Sequence, residues 1–204
     1  MTPLKFVACL FVLGAISFSC RQTNLKYDKP YFDFDSLVNI QISYLANRKD
    51  SVHKTASIDG KKGLSSFLAD SVQLAHEWDV FRQLDVINKP TYKGHYIVTE
   101  EKDSKSNLTI RRYTCDIKSS VPVVLFYFQN DLLNLRRIES QYIEQNALYF
   151  TTRQLTLSLD GAKGQIYVYD YAIKGVQKMI LSDSVQFSIH AYISKNRRWP
   201  NAHF

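Results

Sequence analysis

Apolar and polar residues alternate through most of the second half of the chain. Val185, Phe187, Ile189, Ala191 and Ile193 interleave with Gln186, Ser188, His190, Tyr192 and Ser194. That is the period of a strand with one buried face. The same period predicts strands over about 92–100, 107–116, 121–129, 132–144, 147–159, 164–174 and 184–194. "VPVVLFYF" (121–128) is apolar on both faces and reads as a central strand covered on both sides. Pro122 stands near its start, where a missing N–H is tolerated. The separators "QND", "EQN" and "DGAKG" are turn-like. Connections this short join antiparallel neighbours, because a parallel crossover needs a dozen residues or more.

Before Thr91 the period is helical. Leu37, Val38, Gln41, Tyr44, Leu45 and Arg48 share one face, which predicts a helix over about 35–48, capped by Asp33 or Asp35. Leu64, Phe67, Leu68, Val72, Ala75, Trp78 and Phe81 form a second stripe. It predicts a longer helix over about 64–86, stopped by "NKP" at 88–90. Trp78 reads as a core residue. Val52 to Ile58 suggests a short strand, with Asp59-Gly60 as a turn. The expected fold is α+β: one domain, residues 33–194, with two N-terminal helices packed on a six- to seven-stranded antiparallel meander, as a curved sheet or incomplete barrel.

The first residues have another character. Lys5 precedes "FVACLFVLGAISF", Phe6 to Phe18. This apolar run of about 13 residues is short of the roughly 20 a spanning helix needs. Residues 1–19 therefore read as a signal peptide. Cys20 follows Ser17-Phe18-Ser19. Ser19 supplies the small residue that lipoprotein processing requires at the cut. Ordinary secretory cleavage would instead leave Cys20 a plain thiol, open to a bridge with Cys115. Cys9 is lost with the signal, so two cysteines remain, few for a disulfide scaffold. Lipidation of Cys20 is the preferred reading, with Cys115 then a small apolar residue. Residues 20–32 read as a lipidated tether.

Composition adds little to the fold and more to the surface. Hydrophobic content of 45% with 22% charged residues is globular. Thirteen Tyr and twelve Phe against seven Gly and five Pro suit strands. The net charge of +7 is spread over pairs such as Lys61-Lys62, Arg111-Arg112, Arg136-Arg137 and Arg197-Arg198. No arginine-rich helix, zinc spacing or RNP-like motif accompanies them, so no nucleic-acid partner is expected. A solvated basic surface is the simpler reading, and an anionic envelope surface the other.

Motifs of catalysis are missing. His76-Glu77 begins like H-E-x-x-H, but position 80 is Val. His53, His95, His190 and His203 have no ligand partner at zinc-like spacing. No G-x-S-x-G, P-loop or dinucleotide fingerprint occurs. Glu100-Glu101 belongs to "EEKDSKS", a charged hairpin tip. No catalytic residue, metal or cofactor is expected. The remaining candidate is "QIYVYDYAI" (165–173), which lines up Tyr167, Tyr169 and Tyr171 on one strand face with Ile173. Such a stripe is a cross-strand ladder in the simpler reading, and a ligand or partner face in the other. The basic tail "KNRRWPNAHF" (195–204) reads as a frayed terminus.

The relaxed lipobox at Cys20, the Tyr-, Asn- and Lys-rich body, and two helices before a meander resemble small envelope lipoproteins of Bacteroidota. Arg21 stands where an inner-membrane retention Asp would, and no acidic cluster follows Cys20. The resemblance implies an outer-membrane lipoprotein facing the periplasm, anchored to the membrane by its lipid, and no particular activity. The expected function is a non-enzymatic binding module for an amphiphile or acyl chain; the alternative is an assembly lipoprotein recognising a protein partner. An apolar cavity between helices and sheet would favour the first, and a filled interior with an exposed patch or open edge the second.

Overall fold

The computed structural model describes residues 28–130, 132, 134–162 and 165–195. The signal segment, Cys20 and the tail beyond Lys195 lie outside the described residues.

Asp33 starts helix α1 (Phe34–Arg48) by accepting a hydrogen bond from Ser36 N, and Lys49 ends it in the left-handed region at φ 51°. Phe34, Leu37, Val38, Gln41, Ile42 and Leu45 form its buried face. Two strands follow, β1 (Ser51–Ile58) and β2 (Lys61–Leu68). Asp59 (φ 46°) and Gly60 (φ 82°) turn between them, the two positive values that a tight hairpin turn requires.

The second helix expected over 64–86 is therefore corrected. Its first five residues belong to β2, and Leu64 is 84% exposed. The helical part begins only where Asp70 accepts from Val72 N and Gln73 N. It then breaks into α2 (Ser71–Glu77), α3 (Asp79–Arg82) and 3-10 turns at Gln83–Asn88 and Pro90–Tyr92. The buried stripe is Leu74, Trp78, Phe81, Leu84 and Ile87. Leu64, Phe67 and Leu68 match a helical spacing by coincidence, because hairpin closure at Asp59-Gly60 commits them to pairing with β1.

The rest of the chain is a meander: β3 (Tyr96–Lys102), β4 (Leu108–Cys115), β5 (Val123–Gln129), β6 (Leu135–Gln145), β7 (Tyr149–Ala162), β8 (Gln165–Met179) and β9 (Ser184–Ser194). β1 pairs with β9, so the strand order is β2-β1-β9-β8-β7-β6-β5-β4-β3. Among the described residues the protein is thus mostly β: one nine-stranded antiparallel sheet with three helices. This replaces the six- to seven-stranded α+β meander, curved or barrel-like, that the periodicity suggested. β2 and β3 are its edges.

One cross-strand row carries the core. Lys54, Ala191, Tyr171, Leu157, Ile138 and Phe126 lie side by side across β1, β9, β8, β7, β6 and β5. All but Lys54 are buried, and Lys54 reaches the carboxylate of Glu77 on α2. Trp78 and Phe81 stand edge-on to Tyr171, with centroids 5.8 and 6.0 Å away. Phe32 and Phe34 pack on Phe126. β5 is covered by this layer through Val124, Phe126 and Phe128, while Val123, Leu125 and Tyr127 on its other face are half-buried.

The chain joins this domain ahead of α1. Lys29 Nζ lies 2.6 Å from Asp33, 3.0 Å from Asp35 and 2.8 Å from Asp85. The Tyr31 hydroxyl accepts from Gly94 N and Tyr96 N at the start of β3.

Candidate functional site: a cleft at the start of β8

β8 outruns its neighbour. It pairs with β7 along its whole length, but with β9 only from Asp170 to Lys178. The stretch Ile166–Tyr169 therefore presents a free strand edge. Gln41 of α1 fills it: its Nε2 donates to Ile166 O at 2.7 Å, and its Oε1 accepts from Val168 N at 2.9 Å. The amide does what a paired strand would do.

Two β-bulges open on the same place. The β7–β8 register shifts so that Leu159 faces Val168 while Ser158 faces Asp170, leaving Tyr169 unpaired. The β5–β6 register shifts between Tyr127–Arg137 and Phe128–Leu135, leaving Arg136 unpaired. A bulge re-aims the side chain it carries. Arg136 and Tyr169 both line a 390 Å³ cleft between the last turn of α1, the starts of β6 and β8 and the end of β9. Leu45, Leu159, Val168 and Ile193 supply its apolar lining.

Tyr44 and Tyr167 stack across the mouth, centroids 6.2 Å apart and planes 23° from parallel. Four cations line the cleft: Arg48, Arg136, Arg137 and Lys195, against the carboxylates of Asp50 and Asp160. Each arginine is positioned by a neighbour. Arg48 donates to Asp50 (3.0 Å) and to the Tyr44 hydroxyl (2.6 Å). Arg136 pairs with Asp160 and donates to Gln129. Arg137 donates to Glu139 and lies over the Tyr127 ring. Five N–H donors per guanidinium leave several free for a ligand after these contacts. Partial burial disfavours the Arg48 charge, but Asp50 and Tyr44 outweigh it and raise its pKa. Asp160 is held below the usual carboxylate range by the Tyr167 hydroxyl, Gly161 N and Arg136. Tyr167 is pushed up by the same hydrogen bond. The arrangement can stack a ring and bind an anion.

Of the aromatic stripe, Tyr167 and Tyr169 line the cleft and Tyr171 does not. The bulge at Tyr169 breaks the alternation, turning both Val168 and Tyr171 inward. Tyr171 is part of the core, and burial there, together with the Glu77 charge, raises its pKa. Arg136, Arg137, Arg48 and Gln41 were not legible as site residues. The basic pair 136–137 was visible, but its partner Asp160 and its place on a bulge were not.

The interior between helices and sheet is filled by Trp78, Phe81, Tyr171 and Phe126, which leaves no room for an acyl chain at that point. Of the further clefts outside it, two lie over the central strands. One, beside α2 and α3, has Lys54, His76 and Arg153 on its walls; the other, on the opposite sheet face, has Gln141, Gln154 and Lys174. None of these three clefts is lined by His53, which hydrogen-bonds Ser66 and Ser194, or by His190, 2.6 Å from Asp170. The carboxylates of Asp33, Asp35 and Asp85 come within 4.8 Å of one another, but the Lys29 ammonium occupies the place a cation would take. Cys115 is a half-buried free thiol. Among the described residues, no helix is long and apolar enough to cross a membrane. No family model matches this chain, and no curated protein matches it.

Proposed function

We propose that this chain is a non-enzymatic binding module of the bacterial cell envelope, anchored through Cys20, whose cleft at the start of β8 holds the anionic head of an amphiphile. One observation carries the reading: two separate bulges aim Arg136 and Tyr169 into a cleft already lined by the Tyr44–Tyr167 stack. Bulges break ladder hydrogen bonds and recur beside binding sites. Tyr rings suit sugar or glycerol faces, and fixed guanidinium groups suit phosphate. The filled interior counts against an acyl chain held between helices and sheet, the mark expected of a carrier, and favours the alternative of an assembly lipoprotein on that point. The amphiphile reading rests on the cleft alone, which would take the head group and leave the acyl chain outside the core.

Titration calorimetry of the full chain tests this with two probes. Lysophosphatidylglycerol below its micellar concentration represents the amphiphile, and glucose 1-phosphate the bare head. Both should bind, the amphiphile more tightly, while lysophosphatidylcholine and glucose should not. Arg136→Ala should weaken both by about tenfold, the ordinary worth of one charge-assisted hydrogen bond. Absence of heat with both anionic probes overturns the reading.

A further inference from the structure

We infer that the opposite end of the sheet is a second, direct membrane contact: an apolar tip that rests on an anionic bilayer surface. At this end β1, β6 and β8 finish and β7 and β9 begin. Leu148, Phe150, Met179, Ile180, Leu181 and Val185 are all exposed there. The turns are joined into one surface. Ile180 N donates to Leu148 O, which ties the β8–β9 turn to the β6–β7 turn, and Asp59 N donates to Gln186 O, which brings in the β1–β2 turn with exposed Ile58. A contiguous group of this kind marks an interaction site rather than ordinary surface.

Leu181 is the sharpest point. It is fully exposed and stands at φ 61°, a conformation that Gly or Asn adopts at lower cost. Nothing it packs against within the described residues explains a leucine there. A bilayer does, since a leucine side chain gains by leaving water.

Two observations favour a membrane over a protein partner. The first is where the described chain begins. Tyr31 is held at Tyr96, the start of β3. Register runs from Tyr96 through Cys115, Pro122, Tyr142, Arg153, Gly175 and Phe187 to Ile58, so the chain joins the sheet at its tip end. Nine residue steps lead from Cys20 to Lys29, which span at most about 32 Å. A lipid on Cys20 would therefore hold the bilayer close to this region. Beyond that row the β8–β9 turn overhangs by six residues from Gly175 to Leu181, roughly 20 Å. The second is charge. Lys61, Lys62 and Lys178 are exposed at this end; of the acidic groups there, Asp59 is engaged by Gln186 N and Glu144 by the Tyr149 hydroxyl and Arg153, which leaves Asp183. The negative surface potential of anionic lipid attracts such lysines within a Debye length of the membrane. None of these residues lines the cleft, so the inference stands or falls apart from the proposed ligand.

The test uses the full chain carrying Cys20→Ser, so that no lipid anchors it. It should float with vesicles of phosphatidylethanolamine and phosphatidylglycerol in a 3:1 ratio, and at least tenfold less with phosphatidylcholine vesicles. Adding Ile180→Ser and Leu181→Asp should lower flotation at least tenfold while leaving the circular dichroism and melting curve unchanged. Leu181→Trp should shift its fluorescence emission to the blue on contact with the anionic vesicles and be quenched by brominated lipid. No flotation, flotation indifferent to the Ile180 and Leu181 changes, or an unshifted Trp spectrum each overturn the proposal in favour of a protein partner.

Discussion

Gln41 holds Val168 as a strand would. The Gln41 side chain accepts from Val168 N at 2.9 Å while donating to Ile166 O at 2.7 Å. Its residue is 1% exposed, so water cannot take its place. Gln41→Leu keeps the volume and leaves two buried backbone groups unpaired. The expected loss is about 2–4 kcal/mol, read as a lowered urea midpoint with an unchanged slope. A loss under about 0.5 kcal/mol would mean that the β8 edge finds other partners.

Lys29 neutralises three carboxylates. Burial lowers its pKa, but Asp33, Asp85 and Asp35 outweigh this and raise it above the ordinary 10.5. A cation with a raised folded pKa contributes stability that is complete below its unfolded pKa and lost as pH rises through the folded value. The wild type should therefore lose stability above about pH 10.5 more steeply than Lys29→Met. At pH 7 the variant should be weaker by about 2–4 kcal/mol, because Asp85 stays buried without its counter-charge. Parallel melting curves from pH 7 to 11.5 measure both effects, and identical slopes at high pH would refute the assignment.

Trp78 and Leu64 separate the observed fold from the helix their spacing suggested. Trp78 is buried against Tyr171, and Leu64 points to water on β2. Trp78→Ala should cost about 3–5 kcal/mol, and Leu64→Ala less than about 0.5 kcal/mol. Denaturant titration of the two variants checks this; equal losses would restore a continuous helix over 64–86.

Asp160 restrains Arg136 in the cleft. Asp160→Asn removes a negative charge and frees one guanidinium edge. Binding of glucose 1-phosphate should tighten about threefold to tenfold, in proportion to a relaxed ion pair. Its carboxyl pKa is depressed in the fold, so Asp160 stays charged across neutral pH, and the difference between wild type and variant should hold there unchanged. Calorimetry of both proteins at pH 7 and pH 8, where the phosphate is mostly dianionic, provides the comparison; equal affinities would refute the restraint.

Local pattern carried the strands of the meander and the first helix. Alternation at Val185–Ser194 and the short polar separators sufficed for antiparallel neighbours, because side-chain direction and turn chemistry are properties of adjacent residues. The Asp33 cap and the spacing from Leu37 to Arg48 did the same for α1. Three things depended on contacts between distant segments. The β1–β2 hairpin became part of the sheet only through pairing with β9, which no spacing within 51–68 encodes. The bulges at Arg136 and Tyr169 came from register between whole strands, and they divided the tyrosine stripe between cleft and core. Gln41 looked like one polar residue on an apolar helix face. Its purpose emerged only where β9 stops short of the β8 start and a buried strand edge must be satisfied. The elements follow from the sequence; the cleft comes from strands of unequal length meeting, a quantity fixed by packing alone.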